Sequence, residues 1–203
     1  MITLSVQNLG KHFGYRWIFR DVNLSVTGGV LGIAGLNGSG KSTLIRCLAG
    51  LYAPDSGSVT WQEGQATLNR EAFRRQSGFA APYIHHYAEL TCLENLQFLM
   101  DSRGKPAEEG VLLGALDQLG IGAKAHAAYK SLSSGQQQRI KLTAATLHNP
   151  DILMLDEPGT NLDQNGMAYV SGLVSARRHQ ALTIIASNDT RELDLCDTIF
   201  TIA

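Results

Sequence analysis

The chain is short of cysteine, of charge of one sign, and of long apolar runs. Its three cysteines, Cys47, Cys92 and Cys196, are few, odd in number and far apart, which excludes a disulfide framework and a thiolate metal site and points to a reducing cytosol. Seventeen Lys and Arg stand against 18 Asp and Glu, a formal net charge of -1. The broad cationic field that generic nucleic-acid binding needs is therefore missing, and no nucleic-acid partner is expected. The one long uncharged stretch, Val22 to Gly40, carries six glycines with Asn23, Ser25, Thr27, Asn37 and Ser39, a poor composition for a bilayer helix. Work at a membrane would need a separate spanning partner. Met1 to Asn8 alternates apolar and polar residues as a strand does, so no targeting leader is expected there. Internal repeats, low-complexity tracts and long charge blocks are also lacking.

What is present is 203 residues, 44% of them hydrophobic, enough for one body with a proper core. Ile2, Leu4 and Val6 alternate with polar residues, as does Val22 to Thr27 before the Gly28-Gly29 turn, so both predict half-buried antiparallel strands. Val30–Ala34, Ile152–Leu155 and Leu182–Ala186 are short apolar runs, each followed by polar or glycine punctuation and a helical pattern. That order predicts a parallel sheet covered on both faces, with a last strand at Thr198–Ile202. Between Pro82 and Ser134 strand signals stop and helical patterns appear at Leu93–Met100 and Val111–Leu119. This predicts a helical subdomain at about residues 83–134, inserted into one α/β domain spanning 1–203. The insertion holds four Lys/Arg against six Asp/Glu and has no basic footprint.

Gly35-Leu36-Asn37-Gly38-Ser39-Gly40-Lys41-Ser42-Thr43 matches the phosphate-binding P-loop and sits where the physics requires, between a buried strand and a helix predicted over Ser42–Ala49. The glycines let backbone N–H groups curl around phosphate oxygens, and the helix N-terminus adds partial positive charge. Lys41 reaches the outer phosphates of ATP, and the Ser42 hydroxyl is a magnesium ligand. The site needs a carboxylate on a neighbouring strand, which Asp156 supplies for Mg2+ at the end of Ile152–Leu155. Glu157, one residue on, is placed to polarise the attacking water.

Leu132-Ser133-Ser134-Gly135-Gln136-Gln137-Gln138-Arg139 resembles the signature motif of ABC ATPases, ahead of the acidic strand at that family's separation. Physically, Ser133 and the N–H groups opening a helix over Gly135–Leu147 form a second anion-binding end; read alone, Ser-Ser before a helix is simply a good N-cap. Further pieces fall in the family's order. Phe13 occupies the place of the adenine-stacking aromatic, with Tyr15 as the alternative; Asn149-Pro150 resembles the turn before the acidic strand; Gly159-Thr160-Asn161-Leu162-Asp163 resembles the D-loop. Three positions depart from the pattern. Ser134 replaces a usual glycine, Pro82 or Tyr83 stands where the Q-loop glutamine belongs, and Asn188 stands in place of the switch histidine.

The resemblance runs from about Phe13 to Asn188 and implies a P-loop fold of mixed sheet with an antiparallel layer. It implies binding and hydrolysis of ATP with Mg2+ in a head-to-tail dimer of two ATP-binding subunits, where Ser133, Ser134, Gly135 and Gln136 of one complete the site of the other. It also implies a multi-span membrane permease as partner, holding a cytoplasmic protein at the inner face of the membrane. In size and order the chain is similar to the haem-exporter ATP-binding subunits of cytochrome c maturation. The aromatic stretch Tyr83–Tyr87 is expected to line the docking groove for that partner, with a locally packed loop as its alternative. Two other readings compete: a soluble, non-transport ABC ATPase, and an ATP-gated clamp that dimerises but hydrolyses weakly, motivated by Pro82, Tyr83 and Asn188.

Overall fold

The computed structural model describes residues 1–202. Two sheets and seven α-helices build it, in the order β1 (Ile2–Phe13), β2 (Arg16–Thr27), β3 (Gly29–Ala34), α1 (Lys41–Leu48), β4 (Ser56–Glu63), β5 (Ala66–Thr67), α2 (Arg70–Gln76), β6 (Ser77–Ala80), α3 (Cys92–Ser102), α4 (Glu109–Gln118), α5 (Ser134–Thr146), β7 (Ile152–Asp156), α6 (Gln164–Arg177), β8 (Leu182–Ser187), α7 (Thr190–Leu193) and β9 (Thr198–Thr201). Short 3-10 turns at Gly122–Lys124 and Tyr129–Ser131 lie between α4 and α5.

The antiparallel sheet runs β2-β1-β4-β5 and the parallel sheet β6-β7-β8-β3-β9. The parallel sheet buries both faces, which is why its strands read as continuous apolar runs. Leu31, Ile33, Ile152, Met154 and Ile184 pack on one side against Leu44, Ile45 and Leu48 of α1 and Leu4 and Val6 of β1. On the other side Val30, Leu153, Leu155 and Ile185 meet Leu96 of α3, Leu116 of α4, Ile140 of α5 and Val174 of α6. The Trp61 indole N–H donates to the Leu48 carbonyl at 3.0 Å, tying β4 to the end of α1.

Three strands escaped the sequence reading, the two-residue β5 among them. β4 opens on Ser56-Gly57-Ser58 and β6 is only four residues long, so neither shows a run of apolar or alternating residues. β6 nevertheless pairs with β7 along its whole length, Ala80 opposite Leu155, and so delivers the following Ala81-Pro82-Tyr83 to the edge where β7 ends. The predicted neighbour relation also needs correction: β7 is not beside β3, because β8 lies between them.

Two histidines with buried ring nitrogens, His148 and His86, make stability depend on pH. His148, after α5, donates from Nε2 to the Ser77 carbonyl at 3.1 Å while Nδ1 is buried without a partner. Burial holds its pKa down to about 4, with Arg103 and Lys105 adding to the effect; burial, then Lys141, does the same to His86. The folded state therefore binds fewer protons than the unfolded chain between the ordinary histidine value and about 4. Stability is present above that window and is lost as pH falls through it, by roughly 1.4 kcal/mol per pH unit per histidine. The melting temperature is expected to drop as pH falls below about 6.5. His148→Gln should flatten that dependence, and an unchanged profile would remove His148 from the account.

Candidate active site

Strand register assembles the site. Ala34 of β3 lies opposite Ser187 of β8, and Ala186 of β8 opposite Asp156 of β7, so Gly35, Asn188 and Glu157 leave the sheet along one carboxyl-terminal edge. Ligands of open parallel sheets bind at that edge. The loop leaving β3 needs glycine where the backbone turns left-handed: Gly38 has φ 82° and Gly40 φ 106°, and a Cβ on Gly40 would stand 2.5 Å from Ile18 Cγ2. Gly40 is also the N-cap of α1, and with no side-chain cap the first N–H groups of that helix keep no partner from the capping residue.

Lys41 is 4% exposed, and its ammonium donates to the Gly35 carbonyl at 2.8 Å and the Leu36 carbonyl at 3.0 Å. The lysine thus braces the loop from within. Ser39 Oγ is buried without a partner, and Asn37 accepts a hydrogen bond from the Asn188 amide at 3.1 Å, across 151 positions of sequence. Ser42 and Thr43 open α1 half-buried.

Asp156 is fully buried, and neither carboxylate oxygen has a hydrogen-bond partner. Burial raises its pKa, the Ser42 hydroxyl works against that, and the Glu157 carboxylate adds to it. A buried, unpartnered carboxylate is costly unless something cationic satisfies it, and a carboxylate facing a serine hydroxyl is an all-oxygen donor set suited to Mg2+. The residues present therefore fit that ion. Glu157 adopts φ 48°, unusual for a residue with a side chain, and its N–H donates to the Ala186 carbonyl at 2.8 Å. That bond anchors the backbone just where the side chain leaves the sheet edge, half-buried beside Asp156.

The signature segment behaves as a helix cap. Ser133 Oγ accepts from the Gln136 N–H at 3.3 Å, and Gln136 Oε1 accepts from the Ser133 N–H at 3.0 Å, a complete capping box. Ser133 and Ser134 are exposed. Among the described residues no hydrogen bond joins Ser133–Gln136 to Gly35–Thr43. The segment is tied instead to Pro158–Asp163. A Cβ on Gly135 would meet the Asn161 carbonyl at 2.5 Å, Gln138 donates to the Pro158 carbonyl at 2.9 Å, and Arg139 pairs with Asp163 at 2.7 Å.

Phe13 is not a core residue: it is 49% exposed at the end of β1, edge-on to Tyr52 with ring centroids 5.8 Å apart. Tyr15 is fully exposed. Tyr83 turns inward, contrary to its expected place in a docking groove. The Arg46 guanidinium lies 3.4 Å from its ring centroid, and its hydroxyl is buried without a partner. Burial pushes that hydroxyl up to about 12, with Arg46 opposing and Asp156 adding to the shift.

Sequence reading also missed Arg46, which donates to Tyr52 at 2.8 Å, and Glu192. Glu192 is 2% exposed and accepts from the Gly159 N–H at 2.6 Å, linking α7 after Asn188 to the segment after Glu157. A lone arginine or glutamate on an amphipathic stretch carries no local signal of such a contact.

A glycine loop braced by its own lysine at a helix N-terminus, opposite a buried acid on a parallel sheet, defines a nucleoside-triphosphate-binding protein of the P-loop class. Comparison with known proteins narrows the class. The family model described as ABC transporter matches residues 19–160. An uncharacterized ABC transporter ATP-binding protein of Bacillus subtilis, YdbJ, is 33% identical over 98% of this chain, which spans 66% of that protein's length. The cytochrome c biogenesis ATP-binding export protein CcmA of Aliivibrio fischeri is 32% identical over 95% of this chain and 98% of its own. A solved ATP-binding subunit of an ABC transporter superposes with a TM-score of 0.85 at 23% identity, over 98% of this chain and 85% of that one, which bears on the fold alone. The chain belongs to the ABC transporter family, as an ATP-binding domain of the ATPase type.

Proposed function

We propose that this chain hydrolyses ATP with Mg2+ at its P-loop, in a dimer with a second ATP-binding subunit, and so drives a multi-span membrane permease from the cytoplasmic side. The observation that carries the reading is the meeting of Ser42 with the buried, unpartnered Asp156 at the edge where Glu157 emerges. Bound there, Mg2+ would neutralise charge building on the phosphate oxygens. Lys41 and the N–H groups of Gly38 and Gly40 hold the phosphates, and Phe13 offers a half-exposed ring to the adenine. Glu157 takes a proton from the attacking water as its oxygen bonds to the γ-phosphorus; the β–γ bridging oxygen leaves with ADP.

The signature residues suit a site on another subunit. The capping box uses the Ser133 oxygen as acceptor but leaves its O–H proton, and the N–H groups of Ser134 and Gly135, to donate to an anion. Purification from membranes of the native host should bring a multi-span membrane protein with this chain in stoichiometric amount. Its absence would leave the soluble ATPase or the clamp as the reading.

Asn188 bears on the choice between motor and clamp. Its amide already donates to Asn37 in the P-loop, so it can transfer that donation to a γ-phosphate when ATP binds. Asn188→Ala should slow turnover, on the order of tenfold for one neutral hydrogen bond. Because asparagine does not titrate, Asn188→His should add a pH dependence near about 6.5 that the natural protein lacks. ATPase rate against pH, measured with the membrane partner present, separates these outcomes; equal rates for the natural and Ala forms would make Asn188 a passive cap and favour the clamp.

A further inference from the structure

Asp156 has a neighbour besides Ser42 that the account of the site has not used. β6 pairs with β7 up to Ala80 opposite Leu155, so the turn that follows β6, closed by the Ile84 N–H donating to the Ala81 carbonyl at 3.1 Å, passes beside Asp156. Lys141 of α5 pins that turn, its ammonium donating to the Pro82 carbonyl at 2.8 Å. Tyr83 therefore enters on a braced backbone. Its ring centroid stands 6.1 Å from that of Phe79, and its hydroxyl is buried without a hydrogen-bond partner, near enough to Asp156 for the carboxylate to act on it. A phenol keeps its proton at neutral pH, so this hydroxyl is a donor.

Asp156 is the complementary case, an acceptor buried with both oxygens unpartnered. A buried donor and a buried acceptor each cost free energy while unsatisfied, and one hydrogen bond between them relieves both. The other groups that act on this carboxylate are Ser42, Glu157, Arg46 and Lys41. Glu157 repels it. Lys41 is committed to the Gly35 and Leu36 carbonyls, and Ser42 is the partner that would share the ion. The Tyr83 O–H is left.

Arg46 holds the tyrosine. It lies one helical turn after Ser42 on the same face of α1, with its guanidinium carbon 3.4 Å from the Tyr83 ring centroid and Nη1 donating to the Tyr52 hydroxyl at 2.8 Å. Among the described residues no carboxylate forms an ion pair with it. A cation over a phenol face is attracted by the ring and draws electron density from it, which makes the O–H a better donor. Packing alone would need the ring; it would not need the hydroxyl beside a buried carboxylate.

We propose that Tyr83 is a positioning residue of the ATP site: its hydroxyl donates to Asp156 and turns that carboxylate toward Ser42, while Arg46 keeps the phenol in place. The inference rests on the reading that Asp156 and Ser42 hold Mg2+ with ATP. Tyr83 acts through Asp156 and touches neither the nucleotide nor the ion.

The test measures affinity of the full chain for a non-hydrolysable ATP analogue by titration calorimetry, once in EDTA and once in excess Mg2+, so that turnover plays no part. The ratio of the two affinities reads what the ion adds at this site. Tyr83→Phe should lower that ratio by about 10- to 100-fold, the range for losing a group that orients a metal ligand, while the affinity in EDTA stays as it was. Thermal unfolding without nucleotide should show the variant folded, because the ring remains. Arg46→Lys keeps the charge and loses the flat face, so it should lower the ratio by less, and the double variant Y83F/R46K should fall no further than Y83F. An unchanged ratio in either single variant, losses that add in the double variant, or a fall in EDTA as large as the fall with Mg2+ would overturn the proposal. Asp156→Asn should abolish the gain from Mg2+ and serves as the control on the underlying reading. If the natural protein gains nothing from Mg2+, or Asp156→Asn keeps the gain, the magnesium assignment itself fails; if both behave as expected and Tyr83→Phe does not, only the role of Tyr83 is lost.

Discussion

Glu157→Gln is expected to lower ATP turnover by about 10²- to 10⁴-fold, the range for losing a positioned general base, while ATP still binds. The substitution changes little else. The Glu157 backbone is held by its N–H bond to Ala186 and by an unusual positive φ that the amide would also have to adopt, so shape and placement persist and only the basic carboxylate is lost. Asp156 and Ser42 keep their places. A protein that binds ATP but cannot spend it should accumulate in its ATP-bound assembly, so sizing chromatography with ATP and Mg2+ should show a dimer that the natural protein forms only transiently. Turnover equal to the natural rate would remove Glu157 from the base role, and a variant that stays monomeric with bound ATP would count against the shared site.

Lys41→Ala should weaken ATP binding by roughly 10- to 100-fold, the scale of one or two charge-assisted hydrogen bonds. Two losses combine. The ammonium proposed to meet the outer phosphates is gone, and so are the bonds to the Gly35 and Leu36 carbonyls that hold the loop in its curved form. Because Lys41 is buried with those carbonyls as partners, its loss leaves two acceptors unsatisfied, and the free protein should also melt lower. Titration calorimetry with ATP and with ADP reads the first effect, thermal unfolding without nucleotide the second. Unchanged affinity for ATP would sink the P-loop assignment for this lysine.

Residue by residue, legibility followed how local the cause was. The glycines, lysine and serine of the P-loop could be read directly because each answers to backbone geometry or chemistry within nine consecutive residues. Helices at Leu93–Met100 and Val111–Leu119 were visible through their apolar spacing; the first lies within α3, and the second follows α4 to its C-cap, Leu119. Ser133 was legible twice over, as a cap and as part of a motif; the cap is what its hydroxyl oxygen does in this chain. Phe13 had its place only through the motif order, because one aromatic at a strand end looks the same in core and on surface, and it lies half exposed. Tyr83 was expected in a docking groove, and its neighbours could not show that it turns inward, since the group that receives it, Arg46, belongs to another element.

By itself, then, the sequence determined the phosphate loop, the acid pair closing an apolar strand, the helical stretches and the alternation of strand and helix that makes a parallel sheet. These follow from steric limits on φ and from the period of apolar residues, both of which act over a few neighbours. Only the tertiary structure decided that β8 separates β3 from β7, that register brings Gly35, Asn188 and Glu157 to one edge, and that Asn188 reaches Asn37. It alone brought Tyr83, from the turn after β6, and Arg46 of α1 together beside Asp156. The reason is physical. Burial of apolar surface is non-directional, so a strand's pattern says which faces are hidden but not which strand lies beside it. Register and neighbour are settled only when hydrogen bonds and side-chain packing between distant segments form together.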